Sequence, residues 1–363
     1  MVSVFGEKRA AFALGVASLI MGFPMFFDAG LIVMLPVIFA VGRRIGGKHM
    51  LLYGISAAAA FSVMHVFVPP HPGPITASET YGANLGLVLV IGLVVALPTW
   101  YLTGYLWAKF TDKRIPLAIV DLFGGRDVDP VNPPKAGTVI GVLAIPLVLI
   151  LLNTGISALV SAGVVEGSLV WVQALRLIGT SQIALLISVL IALFVLGTRR
   201  GVHGSALEKI VDSALGPICS VVLITGAGGM FGGVLRASGI GSALSDSLSS
   251  LGIPVIFAAY LIAVVLRVAQ GSATVALVTA AGLVSPAVLA ADFSPLQVAC
   301  VVLATAAGSV FAGHVNDSGF WLVGRLMGMD VKTTLKTWTV QQALESVVGF
   351  AFVLVIFGAV SLV

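Results

Sequence analysis

The chain contains 363 residues, of which 59% are hydrophobic and only 9% are charged, whereas a soluble domain carries about 25% charged residues. Its mean hydropathy is +1.13, and its apolar stretches are long enough to cross a hydrocarbon core of about 30 Å. This composition excludes an ordinary soluble enzyme and predicts an all-α, multi-span membrane protein. The net charge of +4 comes from short basic loops, so it indicates membrane orientation and does not indicate a nucleic-acid partner.

The first apolar stretch, 10–41, contains one charged residue, Asp28. At about 1.5 Å per residue it is too long for a single crossing. Gly and Pro residues flank Asp28, so the sequence predicts a re-entrant hairpin or a broken pair of helices near 10–41. Because a carboxylate in apolar sequence is costly, we expect Asp28 to face a polar cavity. The alternative is a wetted hairpin tip where Asp28 caps the returning helix.

The next predicted span, 51–68, leads into a turn with four prolines at positions 69–74. Such a turn cannot form regular helix and leaves polar groups available to a cavity. Imidazole titrates near neutral pH, so His65 or His71 is a candidate to relay a proton. The alternative is an interfacial turn whose histidines lie in water.

A further span at 86–108 precedes the longest polar segment, 109–135, which is predicted to be a cytoplasmic loop. We expect eight or nine crossings in total. If 10–41 folds back, the basic loops fall on one side of the membrane, as the positive-inside rule requires. That side is predicted to be cytoplasmic.

The second hairpin is predicted near 271–291, after the sequence RVAQGSAT. A Gly-Ser-x-Thr turn at the head of an apolar helix offers backbone N–H groups and the hydroxyls of Ser272 and Thr274 to a carboxylate. Arg267 lies about one helical turn before this Gly-Ser-x-Thr motif. The alternatives are that the hydroxyls pack between helices and that Arg267 extends to the membrane interface.

A fourth polar cluster, GHVNDSGFW, occurs at positions 313–321 and includes His314, Asn316 and Asp317. Polar groups at membrane depth are expected to line a cavity. The alternative is an exposed helix end that Asn316 or Asp317 caps.

A weak internal repeat relates the two halves of the chain. Asp28 and His71 are 43 positions apart, as are Thr274 and Asp317. We interpret 1–108 and 217–330 as two repeats within one transmembrane domain, 1–363. Two inverted repeats that meet near the midplane are typical of secondary transporters, so an inverted-repeat transporter with two re-entrant hairpins is predicted.

The four motifs GFPMFFDAGLIVMLP, HVFVPPHPGP, RVAQGSATVALVTAAG and GHVNDSGFWL occur in this order over nearly the whole chain. Together they resemble the gluconate permease family of bacterial inner-membrane transporters. The resemblance implies a multi-pass, proton-coupled symporter for gluconate or a related sugar acid, and relatives also carry D-serine, fructuronate or idonate. It also implies that a few spans, which usually precede the position of Phe5–Lys8 in the family, are missing here.

We expect a small organic anion to bind between the two hairpins, with protons and the lipid bilayer as the other partners and a homo-oligomer as a further option. The predicted substrate-binding residues are Asp28, His71, Arg267, Ser272, Thr274, His314, Asn316 and Asp317. Four of them are candidate proton carriers, namely Asp28, His71, His314 and Asp317. No cofactor or metal is expected, and the histidine motifs do not resemble a zinc site, because no HExxH motif or clustered Cys and His residues accompany them.

Three alternatives remain open from the sequence. The first is a carrier of the same fold for another organic anion or D-serine. The second is a membrane-embedded hydrolase that uses Asp28 and Asp317 as an acid pair. The third is a passive channel, which would not accumulate its solute.

Overall fold

A computed structural model of the chain describes residues 9–23, 25–45, 48–117, 134–161, 164–212 and 253–362. These residues form helices and connecting turns without β-strands, which confirms the predicted all-α class. By length and composition, five of the described helical stretches can cross a membrane: Met50–Tyr81, Leu85–Asp112, Ile183–Arg200, Ala273–Ala290 and Val331–Ser361. Four shorter apolar helices accompany them: Ala10–Gly22, Gly137–Pro146, Val255–Gln270 and Pro295–Ser309. The prediction of a multi-span protein is therefore confirmed.

The helices are named in chain order. The first group is α1 (Ala10–Gly22), α2 (Phe27–Arg44), α3 (Met50–Phe67), α4 (Pro72–Tyr81), α5 (Leu85–Thr99), a π-helical turn (Trp100–Leu106) and α6 (Trp107–Asp112). The second group is α7 (Ala136–Ser161), α8 (Val170–Ile178) and α9 (Ser181–Ala192), followed by a π-helical turn (Leu193–Gly197) and a 3₁₀ turn (Thr198–Arg200). The third group is α10 (Val255–Gln270), α11 (Ala273–Ala290), α12 (Pro295–Ser309), α13 (Ser318–Leu326), α14 (Val331–Thr334), a π-helical turn (Leu335–Thr339) and α15 (Val340–Ser361).

These helices belong to two compact units. One unit contains residues up to 125 and from 225 onward, and therefore the first and third groups of helices, while the other contains residues 126–224. Within the larger unit, α3 packs against α1, α2, α5 and α6, and α12 packs against α10, α11 and α15. Large buried side chains fill the core around α3, among them Leu14, Leu35, Phe39, Phe61 and Trp338. Within the smaller unit, α7 packs against α8 and α9.

Local sequence signals explain several helix boundaries. Asn84 caps α5, because its side-chain oxygen accepts from the N–H groups of Gly86 and Leu87 at 3.0 and 3.1 Å. At α12, Ser294 and Gln297 form a capping box. Pro98 lies inside α5 and cannot donate a backbone hydrogen bond, and the helix widens into a π-helical turn two residues later.

The structure refines the predicted hairpins. The stretch 10–41 does break, between α1 and α2, with Pro24 of the break outside the described residues. By contrast, 273–290 is one continuous helix, so the turn lies at its start, at Gly271 and Ser272, and not within it. The re-entrant nature of both elements and the inverted relation of the repeats stay predictions.

The segment predicted to be a cytoplasmic loop, 109–135, is helical over its first four residues. Residues 109–112 continue α6, and positions 118–133 lie outside the described residues. Residues 217–252 of the predicted second repeat and the family position Phe5–Lys8 also lie outside them. The assignment of 1–108 and 217–330 as repeats stays a prediction.

Removing the cap of α5 should lower the stability of the larger unit. We expect Asn84→Ala to reduce the free energy of unfolding by about 0.5–2 kcal/mol, because two N–H groups at the start of α5 lose their acceptor. Thermal unfolding of the purified protein in detergent measures this effect. Asn84→Ser is the matched variant, since serine also caps helices, and equal melting temperatures for the alanine and serine variants would contradict the role of the cap.

Candidate functional site

A buried ion pair joins the end of α10 to the start of α13. The side chain of Arg267 is 3% exposed and donates through Nη2 to Oδ2 of Asp317 at 2.6 Å. Its other terminal nitrogen, Nη1, donates to the carbonyl oxygen of Gly271, just past the end of α10. Asp317 also caps α13, because its Oδ1 accepts from the N–H of Gly319 at 3.0 Å. The pair therefore has the additional hydrogen bonds that buried charges require.

Two glycines allow this close approach of the chain. Gly271 has a left-handed backbone with a φ of 82°, and a side chain there would collide with the backbone of Asn316. A Cβ at Gly313 would clash with the guanidinium of Arg267 and would lie 2.6 Å from Oδ2 of Asp317. The two glycines thus bring the two segments together at the ion pair.

Helix α11 begins beside the ion pair with the predicted hydroxyl residues. Ser272 is its N-cap, and the hydroxyl accepts from the N–H of Val275 at 3.4 Å. Thr274 lies in the first turn, and its Oγ1 is 3.3 Å from Nε2 of His65 on α3. The first N–H groups of a helix lack partners within the helix and carry partial positive charge, so this helix end favours an anion.

The two histidines of the proline-rich segment lie together. His71 is buried, and its Nε2 is 2.8 Å from the carbonyl oxygen of Gly22, the last residue of α1. As a donor there, His71 satisfies a carbonyl that the helix end leaves without a partner. The His65 ring lies 4.9 Å from that of His71, between centroids. Nδ1 of His65 is buried and has no hydrogen-bond partner within the described part of the chain.

The starts of four helices, α2, α4, α11 and α13, lie next to one another. The ring of Phe27, the first residue of α2, lies against Gly319 in the first turn of α13. Gly73, in the first turn of α4, lies beside the backbone of Thr274 in α11. Gly271, just before α11, lies against the residue that precedes Asp317. Four partial positive charges are thus collected in one region.

Asp28 lies at the edge of this region. It occupies the first turn of α2 and is exposed, and it interacts electrostatically with Asp317. Both carboxylate oxygens of Asp317 are engaged, one by Arg267 and one by Gly319. This arrangement differs from two carboxyls that share a proton, so it does not favour the hydrolase alternative.

His314 and Asn316 contact the end of α10. Asn316 donates through Nδ2 to the carbonyl oxygens of Val268 and Ala269, at 2.9 and 3.4 Å. Nε2 of His314 lies 3.2 Å from the same oxygen of Val268. Both side chains therefore bind carbonyls that the last turn of α10 leaves unpaired. Asp317 caps α13, as the alternative proposed, but it is buried in the ion pair and does not mark an exposed helix end. Asn316 supports the end of α10 rather than the start of a helix.

A buried polar cluster that was not predicted from the sequence lies beside this region. It consists of Ser62 on α3 and of Gln341, Gln342 and Glu345 on α15, all buried. Glu345 is the only charged residue of the apolar stretch 340–363. Like Asp28, Glu345 is a charge within apolar sequence, and this signal is sufficient to identify it as a candidate.

The chemistry of the region suits a small anion. Helix starts supply partial positive charge, while the charge of the buried Arg267 guanidinium is balanced by Asp317. Besides Nδ1 of His65, Nε of Arg267 is buried without a hydrogen-bond partner among the residues described. Within the described ranges, no group of three or more His, Cys, Asp or Glu side chains is arranged to hold a metal ion.

Comparison with known proteins gives the family. The family model described as "GntP family permease" matches residues 1–360. The chain is 36% identical to a gluconate permease of Bacillus subtilis, over 98% of this chain and 80% of that protein. It is also 36% identical to the inner membrane permease YgbN of Escherichia coli, over 95% and 77% of the two chains. A low-affinity gluconate transporter of Escherichia coli is 34% identical over 96% and 77%.

The match over nearly the whole chain agrees with the apolar helices and with the four motifs, which contribute most of the side chains described above. Permeases move solutes across a membrane and are not enzymes. The chain therefore belongs to the GntP permease family and is a multi-pass transporter of the bacterial inner membrane.

Proposed function

We propose that this protein is a proton-coupled symporter for gluconate or a related small sugar acid. The observation that carries the proposal is the meeting of four helix starts beside a buried ion pair, which creates positive potential without a free buried cation. Two of the relatives named above are a gluconate permease and a gluconate transporter. A sugar acid has one carboxylate and several hydroxyls, and the region offers groups for both.

The substrate carboxylate is proposed to bind at the start of α11. The hydroxyls of Ser272 and Thr274 and the first N–H groups of the helix would donate to it. The terminal nitrogens of Arg267 already bind Asp317 and Gly271, so Arg267 would contribute only its unpartnered Nε and the electrostatic potential of its guanidinium. Its main effect is then to position the start of α11.

The substrate hydroxyls are proposed to contact the polar side chains around this point. Asn316 retains its carbonyl oxygen, and His314 retains its second ring nitrogen, while both support the end of α10. His71, through its position before α4, would complete this side of the site together with His65.

The four candidate proton carriers differ in how strongly the protein engages them. Asp317 is held by Arg267, His71 by Gly22, and His314 by Val268. Asp28 is exposed in the first turn of α2 and interacts electrostatically with Asp317. We therefore propose Asp28 as the group that exchanges protons with water at the mouth of the site.

Two alternatives are separated from this proposal by transport assays. A carrier for another organic anion or for D-serine would accumulate that solute in preference to gluconate. A passive channel would only equilibrate its solute across the membrane.

Transport by the purified protein in proteoliposomes tests the proposed coupling. With an imposed inward proton gradient, we expect accumulation of labelled gluconate above equilibrium, and Asp28→Asn should abolish accumulation but retain gluconate exchange at zero gradient. The asparagine cannot carry a proton but preserves the size of the side chain. Equilibration without accumulation by the unmodified protein would contradict symport, and gradient-driven accumulation by Asp28→Asn would remove Asp28 from the proposal.

Loss of one hydroxyl at the start of α11 tests the proposed carboxylate site. We expect Thr274→Val to weaken gluconate binding by about tenfold or more, because a hydrogen bond to a charged group contributes about 1.5–3 kcal/mol. Isothermal titration calorimetry with the detergent-solubilised protein measures the dissociation constant.

Thr103→Val is the matched control for this change. The hydroxyl of Thr103 is buried and donates to the carbonyl of Thr99 within the same helical segment, at 2.8 Å, so its loss does not touch the proposed carboxylate site. Equal dissociation constants for the two variants would contradict carboxylate binding at Thr274.

A further inference from the structure

The buried polar cluster on α3 and α15 contains a carboxyl that the proposed binding site does not use. Glu345 is 0% exposed, and its Oε1 accepts from the hydroxyl of Ser62 at 2.8 Å. Its Oε2 accepts from the side-chain amides of Gln341 at 2.8 Å and Gln342 at 3.2 Å. All three partners are neutral groups, so the carboxyl is solvated by hydrogen bonds without a balancing charge.

The cluster can hold Glu345 with or without a proton. When the carboxyl is charged, the Ser62 hydroxyl donates to it, as the distance of 2.8 Å indicates. When Oε1 carries a proton, it can donate to Oγ of Ser62, because a hydroxyl oxygen has two acceptor sites and Gln342 uses one of them at 2.9 Å. A rotation of the Ser62 hydroxyl therefore accommodates a proton that arrives at Oε1 or leaves it, while the hydrogen bonds of both amides are retained.

The surrounding elements do not supply a free cation to this carboxyl in the described ranges. Helix α15 packs against α3, α5, α12 and the π-helical turn after α5, and Tyr260 of α10 bonds Ser346 at 3.1 Å. Arg267 on α10 interacts electrostatically with Glu345, but its charge is balanced by Asp317. The other ionisable groups on these elements and on the π-helical turn before α15 are Tyr53, His65, Tyr101, Tyr105, Tyr260, Cys300 and the exposed Lys336.

A fully buried carboxylate without a paired cation is costly, so this environment suits the neutral acid. A change of conformation that admits water or brings the positive charge of Arg267 closer would favour release of the proton. The cluster therefore has the property required of a group that binds a proton in one state of a transport cycle and releases it in another.

Two connections, each a helix segment together with a side-chain hydrogen bond, join the cluster to the proposed substrate site. On α3, Ser62 lies one helical turn before His65, which bonds Thr274. At the start of α15, Thr339 donates to the carbonyl oxygen of Gly313 at 2.7 Å, and Gly313 lies against the Arg267–Asp317 pair. The ion pair and the protonation site are thus physically connected through α15 and through α3.

We propose that Glu345 is the interior proton-binding residue of the transport cycle. When the Glu345 carboxyl is protonated, it donates a hydrogen bond to the hydroxyl oxygen of Ser62. The step forms one O–H bond at the carboxyl when a proton arrives from water on the outer side and breaks it on the inner side. This assignment rests on the proposed proton-coupled symport. It adds a second, buried position to the exposed Asp28.

The test uses the Glu345→Gln variant of the full chain in proteoliposomes. Glutamine preserves the size of the side chain, can donate to Ser62 and can accept from Gln341, so it mimics the neutral acid. We expect gluconate exchange at zero gradient to be retained, whereas gradient-driven accumulation and gluconate-induced internal acidification, measured with a trapped pH dye, are lost. Accumulation and acidification equal to those of the unmodified protein would overturn the proposal.

Two further variants keep the result clear. Glu79→Gln removes a carboxyl that is exposed on α4, and it should accumulate gluconate like the unmodified protein. If Glu345→Gln does not fold, Ser62→Ala removes only the hydroxyl and should shift the pH dependence of uptake, and an unchanged pH profile would overturn the proposal. Absence of proton movement with gluconate in the unmodified protein would instead refute the proposed symport.

Discussion

The buried contact between Arg267 and Asp317 is the constraint on which the arrangement of this transporter depends. An ion pair within apolar surroundings is stable only when both charges have further hydrogen-bond partners. Here Arg267 also binds the chain at Gly271, and Asp317 also caps α13. The pair thus fixes the end of α10, the start of α11 and the start of α13 relative to one another. Glycine at positions 271 and 313 makes room for this contact.

The ion pair separates the proposed site for the anion from the proposed site for the proton, whereas a single charged site would bind both. The net charge of the ion pair is zero, so at the proposed site an anion would be attracted by the helix starts and by polar atoms such as Nε of Arg267. The protonation site proposed at Glu345 lies in a different cluster, among neutral amides and a hydroxyl. Its connections through Thr339 and His65 allow the two events to influence each other without direct contact between substrate and carboxyl.

The sequence was informative where a single residue conflicts with its surroundings. Charged, glycine-rich or proline-rich segments inside apolar sequence identified Arg267, Asp317 and the break before α2. It did not reveal that Arg267 and Asp317 bind each other, because they are 50 positions apart and their contact depends on tertiary packing. The roles of His314 and Asn316 at the end of α10 depend on the same packing. Glu345, a single charge in the strongly apolar stretch 340–363, carries the same signal as Asp28, but the neutral partners that engage it come together only in the folded chain.

A double-mutant cycle at positions 267 and 317 tests the central role of the ion pair most directly. Arg267→Gln and Asp317→Asn each leave one buried charge unpaired, which costs about 3–5 kcal/mol, whereas the double variant removes both charges. The account predicts that the double variant unfolds at a higher temperature in detergent than either single variant and binds gluconate more tightly than the sum of the single effects implies. Strictly additive losses in stability and binding would contradict it.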